Sequence, residues 1–324
     1  MPALAHIVGQ TFGDIEVVVI DDGSTDSTPA ILDSYSRRDP RVRVIHTPNR
    51  GIISALNTGI AECRGELIAR MDADDISHPR RIEMQVALMD EQPDVSVCSS
   101  LIRMFPRADL LGGLIRYEEW LNSLVTPDEI ANDMFVESPV AHPSVMLRRD
   151  ELVEIGGYEE HGWAEDYDLW LRYHVAGKRF ARVPETLLFW RQSEGRLTFT
   201  DSRYSVENFM RAKAHYLAQL LPGSLPSALC SPRPIILWGA GKYGRRLSKH
   251  LMREGINIEA VIDIDPLKIG RTLRGKPIVG VDYLRERPDA FIIAAVSSHG
   301  ARQLIREHLR EHGFAETADF VCAA

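Results

Sequence analysis

The sequence predicts an α/β protein in which a mainly parallel sheet sandwiched by helices is followed by a smaller α/β domain. Two observations predict this class: apolar runs rich in Val and Ile alternate with amphipathic segments, and the gaps between them are short. A third observation divides the chain, because residues 222–232 contain three prolines and no charge. We therefore expect domains at residues 1–221 and 233–324, joined by a linker at 222–232.

The composition is that of an ordinary globular protein. The chain has 324 residues, of which 44% are hydrophobic and 26% charged, so two domains can each bury a core. Its four cysteines are far apart and form no Cys-x-x-Cys pair, which argues against a zinc cluster or a disulfide framework. No apolar run approaches the ~18 residues of a membrane span. These features predict a cytoplasmic protein. Any contact with the membrane would be peripheral and at the inner face of the membrane.

The net charge of −8 is unevenly distributed. Residues 1–221 carry 23 Lys and Arg against 35 Asp and Glu, a net −12, whereas residues 233–324 carry 15 against 11, a net +4. Because duplex binding depends largely on Lys and Arg that neutralise phosphates, the acidic first domain argues against nucleic acid as a partner. A phosphorylated ligand would need a cation as an intermediary there.

The first clear strand is Ile15–Ile20, an apolar β-rich run that ends in an acidic turn with Asp21 and Asp22. Thr28 and Pro29 then have the N-cap and first-turn character of a helix start. A carboxylate in such a turn can accept a hydrogen bond from a nucleotide base or a ribose hydroxyl. A plain Asx-type turn is the alternative interpretation.

The first domain is organised around 67–79, where an apolar run leads into Asp72, Asp74 and Asp75 before a Pro opens an amphipathic helix. The carboxyl ends of strands are where open α/β sheets bind ligands. Three carboxylates on one turn repel one another unless a cation or several donors hold them, and oxygen ligands suit Mg²⁺ or Mn²⁺. We therefore predict a divalent metal site, with an acidic loop that caps the next helix as the alternative.

A calcium loop of the EF-hand type is excluded at this turn, because Ile76 and Ser77 occupy positions that need Asp or Asn and Gly. The rest of the domain continues the alternation. The sequence predicts strands at Val42–His46, Val95–Leu101 and Val183–Arg191, and helices at Ile52–Cys63 and Ser205–Leu221.

A third acidic motif opens a helix near residue 165. From Asp166, the helical spacing selects Leu169, Trp170 and Tyr173 as one buried face with the carboxylate at its leading edge. That placement aims Asp166 at a cleft. Trp163, in the loop before the helix, is suited either to stacking on a sugar or to simple packing.

These motifs resemble those of family 2 glycosyltransferases of the GT-A fold. The resemblance rests on Asp-Asp-Gly-Ser-Thr-Asp at 21–26, Asp-Ala-Asp-Asp at 72–75 and Gly-Gly-Tyr at 156–158, followed by Glu-Asp-Tyr-Asp-Leu-Trp at 165–170. It covers roughly residues 1–221. The ordered set is specific, although each piece alone is weak.

The resemblance implies a role for each acidic residue. It assigns Asp166 as the catalytic base and Asp74 and Asp75 as ligands of Mn²⁺ or Mg²⁺, with Asp72 also near the metal. The residues that it implies for binding the nucleoside-diphosphate-sugar are Asp21, Asp22, Asp72, Asp74 and Glu165.

The sequence departs from the family in three places. Leu56 stands before Asn57 where the family often has Arg, and Ser193 follows Arg191 where a His is common. The family's first strand should also precede the helix at 2–10, and no such strand is present. We therefore expect the gene product to begin upstream of Met1, so that this chain is N-terminally truncated.

The second domain begins with the apolar run 235–238, which leads into a glycine loop, a helix and then a strand that ends at Asp263. The loop glycines are Gly239, Gly241 and Gly244. Strand, G-x-G-x-x-G loop, helix, strand and terminal acid predict a small Rossmann-like module. A nucleotide ligand there and a purely structural or oligomerising role remain open alternatives.

The function predicted from the sequence is that of a metal-dependent inverting hexosyltransferase in bacterial surface-polysaccharide biosynthesis. It would move a sugar from a nucleoside-diphosphate-sugar to a hydroxyl of a glycan or a lipid-linked acceptor. One alternative is a non-catalytic nucleotide-sugar-binding protein. Another, which follows from the glycine loop, is an NAD-dependent sugar oxidoreductase.

Overall fold

A computed structural model describes residues 2–193, 195–221, 233–298 and 300–324. By their internal contacts these residues form two compact units. The first comprises Met1–Ile130, Pro139–His161 and Glu165–Thr200, and the second Ala131–Ser138, Gly162–Ala164 and Asp201–Ala324.

The helices and strands are distributed along the whole chain. The helices are α1 (Pro2–Val8), α2 (Thr28–Arg38), α3 (Ile52–Glu62), α4 (Arg81–Glu91), α5 (Gly112–Ser123), α6 (Pro127–Asn132), α7 (Arg149–Glu154), α8 (Glu165–Val175), α9 (Leu197–Thr200), α10 (Val206–Leu220), α11 (Lys242–Arg253) and α12 (Ala301–Glu311). The strands are β1 (Val17–Asp22), β2 (Val42–Thr47), β3 (Leu67–Ala69), β4 (Ile76–Ser77), β5 (Val95–Phe105), β6 (Met146–Arg148), β7 (Arg179–Arg191), β8 (Ile235–Trp238), β9 (Ile258–Ile262), β10 (Thr272–Leu273), β11 (Lys276–Val279), β12 (Phe291–Ala294) and β13 (Phe320–Cys322).

The first unit contains two sheets flanked by helices, which confirms the predicted α/β class. β1 and β2 form a parallel pair, and five further strands follow the order β3-β6-β5-β7-β4. Within the larger sheet only β5 and β7 are parallel, so this sheet is mixed. The antiparallel pairs involve β3, β4 and β6, which are short strands that meet their neighbours along only two or three residues.

Apolar helix faces cover these sheets. Ile82 and Met89 of α4 pack with Val95 and Val183 in the core of the larger sheet. Leu32 of α2 joins a second cluster against the β1–β2 pair. Because these helices cover apolar faces of both sheets, the polar carboxyl ends of β1 and β3 are the parts left to interact with a ligand.

The second unit is built on a six-stranded sheet of order β10-β11-β9-β8-β12-β13. β8 is parallel to β9 on one side and to β12 on the other, so the chain reverses its direction of winding at β8. All four residues of β8 and of β12 are buried, as expected for the centre of a doubly covered parallel sheet. The predicted Rossmann-like module is thereby confirmed.

α10 groups with the second unit, whereas the sequence analysis placed it in the first domain, which ended at residue 221. Buried Lys213 of α10 is one of the contacts behind this grouping, since its ammonium donates to the carbonyl of Val136 and to Tyr243 Oη, both at 2.7 Å. The predicted linker lies outside the described residues. Independent folding of 233–324 stays a prediction.

Among the described residues, no helix combines the length and apolar character needed to cross a bilayer.

Candidate active site

The carboxyl end of β3 brings three carboxylates together. One carboxylate oxygen from each of Asp72, Asp74 and Asp75 lies within 4.8 Å of the other two. Asp74 is exposed, Asp72 is partly exposed, and Asp75 is only 1% exposed. This acidic triad therefore has a solvent-facing edge and a buried base.

Arginines from both sides hold the triad in this geometry. Arg70 places its Nη2 at 2.5 Å from Asp72 Oδ1. The backbone N–H of Arg191, at the end of β7, donates to Asp75 Oδ1 at 2.7 Å, and its Nε donates to the carbonyl of Asp74 at 2.8 Å. The end of β7 thus supports the turn after β3, although 115 or more residues separate the bonded pairs in sequence.

The burial and charge environment of Asp75 suit a residue that binds a cation. Burial, with the nearby charges of Asp72 and Asp74, raises the pKa of Asp75 to about 7. Its Oδ2 is buried and has no hydrogen-bond partner among the described residues. A divalent ion would supply that partner and favour the ionised carboxylate, so the residues present fit Mn²⁺ or Mg²⁺.

The first acidic turn is held by internal hydrogen bonds. Asp21 is buried, accepts from the Ser24 N–H at 3.1 Å and lies 2.7 Å from His46 Nδ1. Burial opposes ionisation, but the hydrogen bonds from Ser24 and His46 lower the pKa of Asp21. Asp22 is more accessible, and its two oxygens accept from the backbone N–H groups of Arg50 and Gly51 at 2.9 and 2.8 Å. Both carboxylates therefore shape loops at the carboxyl end of β1.

Glu165 and Asp166 open α8, where carboxylates interact favourably with the helix dipole. The Tyr167 N–H donates to Asp166 Oδ1 at 2.7 Å. Burial and the neighbouring Glu165 charge raise the pKa of Asp166 to about 7, and the charge of Arg70 opposes that rise. A carboxylate with such a pKa can exchange a proton near neutral pH, which a free Asp with a pKa of ~3.9 does poorly.

A buried ion pair fixes α8 to the Gly-Gly-Tyr loop. Arg172 Nε donates to Asp168 Oδ2 at 2.9 Å, and Asp168 is fully buried. The two terminal nitrogens of Arg172 donate to the carbonyls of Ile155 and Gly157 at 2.7 and 2.6 Å. Because this guanidinium bonds to both elements, it sets the position of the helix that carries Asp166.

Two features of this unit were missed by the sequence analysis. Buried His142 places its Nε2 at 2.7 Å from the hydroxyl of Tyr158, and the amide of Asn57 bonds to the backbone N–H and carbonyl of Tyr158. Arg70 is the second feature. In the sequence, His142 is marked by the His-Pro at 142–143, and Arg70 by its position two residues before Asp72. Neither pattern by itself specifies a role.

Trp163 is packed against neighbouring side chains. It is 7% exposed and lies within the second unit, where its ring centroid is 5.6 Å from that of His215 and 6.5 Å from that of Tyr216. The guanidinium of Arg211 lies 5.5 Å from its ring centroid. These contacts favour the packing interpretation over stacking on a sugar.

The three glycines of the loop in the second unit differ in how strongly the fold requires them. Gly239 has φ +123°, and an added Cβ would meet the carbonyl oxygen of Ala295 at 2.8 Å. A Cβ on Gly244 would lie 1.8 Å from the carbonyl oxygen of Gly239. Gly241 has φ −76°, and an added Cβ would have no neighbour within 4 Å. Gly239 and Gly244 are therefore required by the fold, whereas Gly241 is not.

Asp263, at the end of β9, is bound within the unit. Its Oδ2 accepts from the Ala240 N–H at 2.9 Å, and the ammonium of Lys268 lies 3.2 Å away. Burial opposes ionisation, but backbone hydrogen bonds from Asp265 and Ala240 lower the pKa of Asp263. The acid thus links the glycine loop to the β9 end and stays ionised.

Comparison with known proteins places this arrangement in a family. The sequence profile of glycosyl transferase family 2 matches residues 2–156. The O-antigen biosynthesis glycosyltransferase WbnJ of Escherichia coli is 30% identical over 223 residues, which are 65% of this chain and 84% of that protein. The chain belongs to glycosyltransferase family 2. The amylovoran biosynthesis glycosyltransferase AmsE of Erwinia amylovora is 31% identical over 181 residues, 55% of this chain and 65% of the Erwinia protein.

Solved structures share the fold of this family 2 chain. The crystal structure of residues 1–349 of Staphylococcus aureus TarS in complex with UDP-GlcNAc aligns with a TM-score of 0.54, 19% identity and coverage of 78% of this chain and 67% of that one. This likeness shows the GT-A fold. A second profile, that of the CoA binding domain, matches residues 231–314, in agreement with the Rossmann-like second unit.

Proposed function

We propose that the chain transfers a sugar, with inversion, from a nucleoside-diphosphate-sugar to a hydroxyl of a glycan or lipid-linked acceptor. The observation that carries the proposal is the acidic triad, in which one carboxylate oxygen of each residue lies within 4.8 Å of the other two, in the same unit as Asp166. Membership of family 2 and the names of the relatives support this activity. Bacterial surface polysaccharide is the proposed product.

In this proposal Asp74 and Asp75 hold Mn²⁺ or Mg²⁺, and Asp72 and Asp74 bind the donor with the help of Glu165. A divalent ion supplies positive charge for the diphosphate leaving group when bound. The first acidic turn would place the base and ribose against the accessible side of Asp22. Asp21 would act there mainly by holding the turn, since its carboxylate is already bonded to Ser24 and near His46.

The reaction step assigned to the chain is deprotonation of the acceptor. Asp166 takes the proton of the acceptor hydroxyl as its oxygen forms a bond to the anomeric carbon. The bond from that carbon to the diphosphate oxygen breaks, and its electron pair leaves with the nucleoside diphosphate. Because attack and departure occur on opposite faces, the anomeric configuration inverts.

The proposed function is tested by transfer assays with a panel of radiolabelled UDP- and GDP-sugars, after a thermal-shift screen of UDP and GDP with and without Mn²⁺. Stabilisation by a nucleotide together with sugar transfer supports the proposal. Stabilisation by a nucleotide without transfer from any donor in the panel would favour the non-catalytic nucleotide-sugar-binding alternative. A nicotinamide-dependent absorbance change with a sugar substrate would favour the oxidoreductase alternative.

The pH dependence of transfer follows from the raised pKa of Asp166. The base must be ionised, so kcat/KM should rise with pH and level off above about pH 7, the pKa of Asp166. The Glu165 charge contributes to that raised pKa, so Glu165→Gln should move the acidic limb to lower pH. The measurement is kcat/KM from pH 5 to 9 for both proteins. A limb that does not move in the variant would contradict the assignment of Asp166 as the base.

For the second unit we propose a nucleotide ligand at the glycine loop. Gly241 supports this proposal, since neither its backbone angle nor its neighbours require glycine. Gly241→Ala should leave the melting temperature unchanged and weaken binding of CoA or NAD, measured by isothermal titration with each compound. Gly239→Ala is the matched control, because its positive φ and close contact predict a lower melting temperature. Unchanged binding in Gly241→Ala would favour a structural or oligomerising role.

A further inference from the structure

Arg70 links the acidic triad to the rest of the first unit and has no role in the function described so far. It directly follows β3 and precedes Asp72 by two residues. Its backbone N–H donates to the carbonyl of Val145 at 2.9 Å, and its own carbonyl accepts from Arg81 Nη2 at 2.5 Å. The backbone that carries this guanidinium is therefore held on both sides.

The two terminal nitrogens of Arg70 are in different environments. Nη2 lies 2.5 Å from Asp72 Oδ1, whereas Nη1 is buried and has no hydrogen-bond partner within the described part of the chain. A buried guanidinium N–H without an acceptor is unfavourable, and native proteins seldom keep such a group without a reason. A ligand that brings an oxygen to Nη1 would satisfy it.

The charge of Arg70 acts on both halves of the proposed site. It opposes the rise in the pKa of Asp166, and it interacts with Asp72 and Asp75. Burial disfavours its protonation, but the charges of Asp72 and Asp75, the Tyr158 side chain and the hydrogen bond to Asp72 together raise the pKa of Arg70. The side chain is therefore a permanent cation and a permanent hydrogen-bond donor.

We propose that Arg70 contacts the transferred sugar, with its Nη1–H donating to a sugar hydroxyl oxygen while Nη2 keeps Asp72 in place. The inference rests on the proposed function, in which the sugar lies between the donor-binding carboxylates and the base. A hydroxyl fits this donor better than a phosphate does, because Asp72 already neutralises the guanidinium and the proposed function assigns the diphosphate to the metal ion at Asp74 and Asp75. Arg70 thereby determines which hydroxyl pattern the site accepts.

The first test compares Arg70→Lys with wild type, using UDP and UDP-GlcNAc or GDP and GDP-mannose, whichever pair stabilises the wild-type protein. Lys keeps the charge but replaces the planar fork with a single ammonium group. We expect the variant to bind the nucleoside diphosphate like wild type, to lose the extra affinity for the nucleotide-sugar, and to lose roughly 10- to 150-fold in kcat/KM. Equal loss of affinity for both probes would overturn the inference, because Arg70 would then act only through Asp72 or the diphosphate.

Arg80→Lys is the matched control, since Arg80 is exposed and pairs only loosely with Glu83 at 3.8 Å. It should leave both affinities and kcat/KM unchanged. A loss in Arg80→Lys as large as that in Arg70→Lys would overturn the inference.

A second test does not depend on how the variant folds. Deoxy analogues of the donor sugar, one for each hydroxyl, are assayed with the wild-type protein, and one of them should lose roughly 10- to 150-fold in kcat/KM. If Arg70→Lys is folded, it should not distinguish that analogue from the parent donor. Full activity of the wild type with every analogue would overturn the sugar contact and leave the proposed function intact. Absence of donor binding and of transfer in the wild type would instead refute the proposed function, and the inference with it.

Discussion

Asp166→Asn should lower kcat/KM for sugar transfer by about 10²–10⁴-fold, the usual contribution of a general base. The amide keeps the shape of the side chain, and its oxygen can still accept the Tyr167 N–H that bonds to Asp166 Oδ1 at 2.7 Å. Only the proton-accepting function is lost. Donor binding should therefore be unchanged when it is measured by isothermal titration, while kcat/KM for radiolabelled transfer falls by about 10²–10⁴-fold.

The control for this substitution is Asp150→Asn on α7, because the Asp150 side chain is 93% exposed. It should change neither binding nor transfer. Replacing Asp166 also removes its repulsion with Glu165, so the variant should melt no lower than wild type. If donor binding and transfer fell together in Asp166→Asn, the residue would belong to the donor site or to the structural framework instead.

Removal of divalent ions should lower transfer by about 10²-fold or more, since neutralisation of a leaving phosphate is worth several kcal/mol. In the proposed function the acidic unit uses a cation for this purpose, and Asp75 Oδ2 is a buried oxygen without a hydrogen-bond partner among the described residues. Activity after EDTA treatment is measured and then restored by titration with Mn²⁺ or Mg²⁺. Asp74→Asn and Asp75→Asn should each require more metal for half-maximal activity.

Asp90→Asn on α4 is the control for these two substitutions, since Asp90 is exposed and lies outside the triad. It should leave the metal requirement as it is in wild type. Full activity in EDTA would contradict the metal proposal. Charge neutralisation would then fall to arginines near the triad, such as Arg191, which bonds to Asp74 and Asp75, and Arg196, whose charge acts on Asp75.

The sequence by itself determined the class of each unit and most of its elements, because these depend on local patterns. β8 lies at the predicted residues 235–238, β9 ends directly before Asp263, and α8 begins at Glu165 as the acidic motif indicated. Apolar periodicity, caps and glycine positions are local signals, and they are sufficient to place a carboxylate at the end of a strand or the start of a helix. The family resemblance, which the comparisons confirm, came from the order of those motifs.

What the sequence did not determine is how residues far apart in the chain come together. α10 belongs to the second unit, where it packs against α11 and the ammonium of Lys213 bonds to Val136 and Tyr243. β7 supports the triad because it lies beside β4, and strand pairing across more than 100 residues leaves no local pattern.

The same reason explains why the role of Arg70 needed the tertiary structure. Its bond to Asp72 spans two residues, and an arginine next to an acidic run usually indicates no more than a solvated ion pair. Burial of the Arg70 guanidinium distinguishes this pair, since Nη1 has no acceptor among the described residues and the charge acts on Asp166. Burial is decided by what packs around a side chain. The sequence therefore identified the acidic groups to which we assign the chemistry in our proposal, and tertiary packing decided their ionisation and which donors are left for a ligand.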